Sequence, residues 1–129
     1  MAYASISKPS LHFNTKIYTG NAGTQSITGV GFQPDLVWTK ARNLGAYHMW
    51  TDVVRGATKI IQSNTSTAEQ TFATGLTSFD SDGFTAGSSD DINGNYNYVS
   101  WNWKAGNSSG SSNTDGDITS TVSVNTTAG

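Results

Sequence analysis

The chain holds a single glutamate, Glu69, in 129 residues. That scarcity limits what it can fold into. A surface helix is clothed in Glu, Lys, Gln and Arg, whose unbranched side chains lose little freedom there. Here the charged residues amount to only 12% of the chain, about half the roughly 25% usual in soluble domains. Sixty of the 129 residues are Gly, Ser, Thr or Asn. Thr fits a pleated, half-buried surface, and Gly, Ser and Asn fit turns. A helical bundle or coiled coil does not suit this composition, and a loop-rich β protein does. The length is that of one domain. Apolar residues are 35%, but four Trp, five Tyr and five Phe remain to fill a core, each able to bury about 150–250 Å².

Further classes drop out. There is no Cys, hence no disulfide, no thiolate nucleophile and no Cys-ligated metal. No run of 18 apolar residues is present, so membrane insertion is not expected. The opening residues Met1 to Lys8 lack the apolar stretch of a signal peptide. A net charge of −2 with seven Lys and Arg gives no basic footprint for nucleic acid.

Alternation marks the strands. Leu11, Phe13 and Ile17 share one face, and His12, Asn14, Lys16 and Tyr18 the other, which predicts a half-buried strand. Gly20 to Gly23 reads as a turn and Thr24 to Thr28 as a short strand. Pro34 marks the start of a strand or a bend, ahead of a strand from Asp35 to Arg42. Ala46 to Thr51 alternates again, and Ala57 to Ser63 is a further strand candidate. Ser66 and Glu69 have the spacing of a capping box, predicting the one helical turn. Phe79 and Phe84 bracket Asp82-Gly83, a pair favoured in type I′ hairpins. Tyr96 to Trp103 is the strongest strand, with Val99, Trp101 and Trp103 on one face and Tyr96 and Tyr98 on the other. About seven or eight strands fit between Leu11 and Lys104. Beyond Ala105 the chain reads as a Gly/Ser/Asn linker, followed by a strand-like stretch from Asp117 to Val124 with no local partner.

The expected fold class is therefore all-β: an antiparallel β-sandwich, jelly-roll-like, with extended terminal arms. Its parts are an N-terminal arm (1–10), a sandwich (11–105), and a linker with a strand-like C-terminal arm (106–129).

The stretches IYTGNAGTQSITGVGFQPDLVWTKAR, DVVRGATKIIQSNTS, LTSFDSDGFTAGS and NYVSWNWKAG, taken in order, resemble a β-rich module of tailed-bacteriophage virion proteins. In marine phages especially, that module occurs in long tail-fibre-like or appendage chains. The opening MAYASISKPSLHFNTKIYTG is similar to the start of such a chain, and NTDGDITSTVSVNTTAG to a lead into a second copy. The resemblance implies a virion structural protein, assembled in the host bacterial cytoplasm, anchoring a tail fibre or similar appendage. A small head-decoration or tail-adaptor subunit is the alternative. Other virion proteins are the implied partners, and fibres imply a homotrimer.

Catalytic patterns are weak. His48 with Asp52 and one of 17 serines imitates a hydrolase triad, but no G-x-S-x-G elbow is present. Two placed carboxylates, as a glycosidase needs, are not evident, because Asp80, Asp82, Asp90, Asp91, Asp115 and Asp117 sit in turn signatures. The same loops fall short of a calcium pattern. No enzyme, cofactor or metal is expected. Arg55, ahead of Gly56, fits a corner residue bonding carbonyls or a carboxylate. A host-surface polysaccharide is the other possible partner, because sugar sites use exposed aromatics. Tyr47, Trp50, Arg55, Tyr96 and Tyr98 are the candidate ligand or subunit contacts.

Overall fold

A computed structural model describes residues 8–106 and 110–124. A short 3-10 turn, Pro9–Leu11, leads into β1, Phe13–Thr19. Then follow β2 (Gln25–Thr28), β3 (Leu36–Ala41), β4 (Met49–Asp52), β5 (Lys59–Gln62) and β6 (Gln70–Thr71). The body closes with β7 (Leu76–Asp80), β8 (Gly83–Ala86) and β9 (Asn97–Trp103), and the tail adds β10 (Ser111–Asn113) and β11 (Ser120–Val122). All pairings are antiparallel. The larger sheet has the order β1-β9-β3-β4-β5-β6, and the smaller the order β2-β8-β7. Four consecutive strands thus form a meander, extended by β9 and β1, rather than the double Greek key of a jelly roll.

The two sheets pack face to face as a sandwich. Val37, Met49 and Ile60 from the larger sheet meet Ile27, Leu76, Phe84 and Ala86 from the smaller, with Ile92 closing one end. Each is at least 95% removed from solvent. Tyr18, Phe72 and Phe79 pack around this centre.

Two loop devices fix the relation of the sheets. The hairpin β7–β8 turns through Ser81 and Asp82, with Asp80 opposite Gly83. The Asp82-Gly83 pair is thus one residue out of the expected register: Gly83 begins the strand instead of completing the turn. Its φ of 145° and its approach to the Ile27 carbonyl, where a Cβ would collide, admit glycine alone. The Asp82 carboxylate reaches across to accept the backbone N–H groups of Gly29 (2.9 Å) and Gly31 (2.6 Å). Those bonds, Gly31 first, hold its carboxyl below the usual carboxylate value, and Lys16 adds to the effect. The second device is Asn93, fully buried. Its amide donates to the carbonyls of Gly23 (2.8 Å) and Gly87 (2.9 Å) and to Asn21 Oδ1 (3.1 Å), tying two loops together.

Two expectations are corrected. Ser66 to Glu69 forms no helical turn and has no regular secondary structure. Glu69 approaches Arg55 (3.7 Å) in place of capping a turn. The stretch from Asp117 to Val124 does have a local partner: β11 pairs with β10, which lies inside the segment read as linker. The structure also decides the direction of β1, which alternation leaves open. Its alternation is as read, but Leu11, Phe13 and Ile17 are exposed, and Asn14, Lys16 and Tyr18 turn inward. Specific bonds explain the choice. Asn14 donates to the Val30 carbonyl (2.8 Å) and the Tyr18 hydroxyl to that of Ile92 (2.7 Å), so these two polar side chains find partners inside. Of the N-terminal arm only residues 8–10 are described. Met1 to Ser7, Asn107 to Ser109 and Asn125 to Gly129 lie outside the described residues.

Candidate binding face

Register determines which residues share a face, because side chains alternate along each strand. On the larger sheet the row Thr15–Trp101–Trp38–Trp50–Ile61 runs across five strands. Beside it runs Phe13–Trp103–Leu36–Asp52, and on the other side Ile17–Val99–Lys40. All three rows lie on the side facing away from the smaller sheet. The interleaved residues Val37, Thr39, Met49, Thr51, Tyr98, Ser100 and Asn102 are buried between the sheets. All four tryptophans of the chain are therefore on the outward face, and each is half-buried.

The rings support one another. Trp38 lies 4.9 Å from Trp101 and 5.9 Å, edge to face, from Trp50. Phe13 lies 5.0 Å from Trp103. Such contacts are worth about 0.5–1.5 kcal/mol each beyond the area they bury. Cross-strand aromatic pairs also stiffen the sheet that carries them.

At the β4 end the face deepens into a cleft of about 550 Å³. Leu36, Trp50 and Ile61 contribute from the strands and Val53 and Val54 from the following turn, while Ala105, Gly106 and Ser123 form the far rim. Arg55 shapes this turn. Its Nε donates to Asp52 Oδ2 (2.6 Å) and its Nη2 to the Trp50 carbonyl (3.2 Å). The Arg55 backbone N–H also bonds Asp52 Oδ1 (2.9 Å). The result is a corner that leaves Val54 93% exposed beside the cleft.

The residues singled out from sequence part company here. Trp50 and Arg55 meet, through that guanidinium–carbonyl bond. Tyr47 is exposed ahead of β4, its backbone N–H held by Asp91 (3.1 Å). Tyr96 is half-buried just ahead of β9. Tyr98 is fully buried, so it is no surface contact. Its hydroxyl donates to the Asp90 carbonyl (2.6 Å), its ring stacks on Tyr18 at 5.3 Å, and burial pushes its phenol up to about 12. Sequence reasoning passed over Trp38, Trp101, Trp103 and Val54. The alternation of Tyr96 to Trp103 did group two of these tryptophans, but alternation does not say which face points inward.

The aspartates serve loops. Asp80 accepts the hydroxyls of Ser78 (2.8 Å) and Thr85 (2.7 Å), and Asp82 the glycine N–H groups. Among the described residues no three His, Asp or Glu side chains cluster as a metal site would require.

Fold and face together define an all-β antiparallel sandwich with a tryptophan-lined outer sheet. Residues 8–129 match a domain of unknown function, DUF7483, and the chain belongs to that family. No curated protein and no solved structure matches it.

Proposed function

We propose that this chain is a non-enzymatic structural module of a bacteriophage virion protein, and that its work is assembly. In this reading it anchors a tail fibre or similar appendage to the particle. The observation that supports it best is the placement of all four tryptophans on one solvent-side sheet face. Aromatic residues are enriched at the cores of protein interfaces, and contiguous exposed apolar patches mark interaction sites. The resemblance to phage appendage chains supplies the setting.

Mass spectrometry of purified particles, with antibody labelling in electron micrographs, tests this reading. The expected result is the chain in stoichiometric amount at a tail appendage. Labelling on the head would favour a decoration role. Absence from particles would overturn the reading. So would selective binding to a host polysaccharide that is lost on Trp50→Ala or Tyr47→Ala while particle assembly is unaffected.

A further inference from the structure

We infer that the tryptophan face docks a second copy of this chain, in a two-fold arrangement that seats each Val54 in the other copy's cleft. The inference rests on the assembly reading above and names the partner of that face.

Shape gives the first reason. One face carries both a protruding aliphatic side chain, Val54, at the cleft's edge, and the mainly apolar cleft itself, walled by Leu36, Trp50, Val53 and Ile61 with Asp35 and Asp52 also in its lining. A two-fold contact presents the same patch to itself, so it needs knob and hole side by side on one surface. A flat sheet face can be shared by two copies packed face to face, and three copies cannot share it at once.

Size gives the second. The five strands are four to seven residues long and lie about 4.8 Å apart, which makes a face of roughly 450 Å². Two such faces pressed together bury about 900 Å² in total, the size of a weak, reversible pair.

Charge gives the third. The outer face carries Lys40, Asp52 and Lys59, and Asp35 lines the cleft. Lys40 Nζ donates to the carbonyls of Ala41 (2.5 Å) and Leu44 (2.9 Å), Lys59 Nζ to Thr71 Oγ1 (2.6 Å), Asp52 is bound by Arg55 (2.6 Å), and Asp35 accepts the Ala105 N–H (2.7 Å). Each charge thus has a partner within the chain, which lowers the cost of removing water from the face. The same walls offer few polar groups to a sugar's hydroxyls, which favours an apolar protein surface as occupant.

Sedimentation equilibrium of the full chain across micromolar concentrations tests the inference. The expected result is a reversible monomer–dimer equilibrium. Val54→Asp should weaken it at least about tenfold, because a charge would enter an apolar pocket. Ile118→Asp, at an exposed tail position, should leave it unchanged. Circular dichroism of both variants checks that each is folded. The chain has no Cys, so disulfide trapping is clean. Val54→Cys mixed with Ile61→Cys should form cross-linked heterodimers under mild oxidation, and Ile118→Cys mixed with Ile61→Cys should not. A monomer at all concentrations, a trimer, or a dimer indifferent to Val54→Asp would overturn the inference. None of these results would remove the chain from the particle, so the assembly reading stands or falls separately.

Discussion

The two faces of the larger sheet exchange the roles their residues usually take. Its inner face carries Thr39, Thr51, Ser100 and Asn102 among its buried positions, and its outer face carries the four tryptophans. Small polar side chains sit inside because the smaller sheet brings the bulk. Phe84, Ile27 and Leu76 fill the space between the sheets, against Val37, Met49 and Ile60. The buried Asn102 amide nitrogen is partnered, donating to the Asn14 carbonyl (3.0 Å) and to Ser100 Oγ (3.1 Å). The outer face has no such opposing sheet among the described residues. Its rings meet tilted or edge to face and remain half-exposed. One face is finished within the chain, and the other is shaped for a contact.

That contrast can be broken or sharpened by substitution. The largest effect belongs to the finished side. Phe84→Ala should cost about 3–5 kcal/mol of unfolding free energy in urea titration, from lost transfer and the cavity left behind. Asn93→Ala leaves the Gly23 and Gly87 carbonyls without their amide donor and should cost about 2–3 kcal/mol by the same measurement. On the outer side, Trp101→Thr should cost about 2 kcal/mol at most in dilute monomer, because only part of the ring's area is buried. A Trp101→Thr loss as large as that of Phe84→Ala would show that the outer face is core after all. Val54→Asp should shift monomer stability by no more than about 0.5 kcal/mol, because the site is exposed and unpacked. Its effect belongs to self-association alone.

Acid provides a separate probe of the tie between the β7–β8 hairpin and the segment after β2. Asp82 has a folded pKa below its unfolded value, about 3.9. Its contribution to stability is therefore fully present above that unfolded value. It is lost as pH falls through the lower folded value. Asp82→Asn should remove this acid-side slope. Melting temperatures of the two proteins, compared from pH 6 downward, should converge in acid. A gap that stayed constant across this range would rule out the charged carboxylate as the source.

Much of the architecture is written locally. Glycine- and asparagine-rich turns spaced between alternating segments placed β1, β2, β3, β5 and β9 within a residue or two of where they lie. Arg55 was legible as a corner because a guanidinium ahead of a glycine can reach both a carboxylate and a carbonyl, as it does with Asp52 and Trp50. The candidate face was legible only in fragments. Trp101 and Trp103 share a side of one strand by simple parity, but Trp38 and Trp50 join them through strand registers, Trp38 pairing with Trp101 63 positions further on. Tyr98 shows the limit from the other side. Its hydroxyl is a polar tip that sequence alone can place in water, and only the nearby Asp90 carbonyl makes a buried site affordable.

The class of the fold follows from composition and periodicity alone. Few long helix-forming side chains, abundant turn residues and a strict period of two leave antiparallel sheet as the consistent outcome. The parity of each strand follows as well, since alternation is a property of the backbone. The inward direction does not. A strand with Leu11, Phe13 and Ile17 on one side and Asn14, Lys16 and Tyr18 on the other can be buried either way, given partners for the polar groups. The carbonyls of Val30 and Ile92, brought from distant loops, decided it. Burial is a sum over a whole face and its opposing layer, and that sum exists only once the sheets have met.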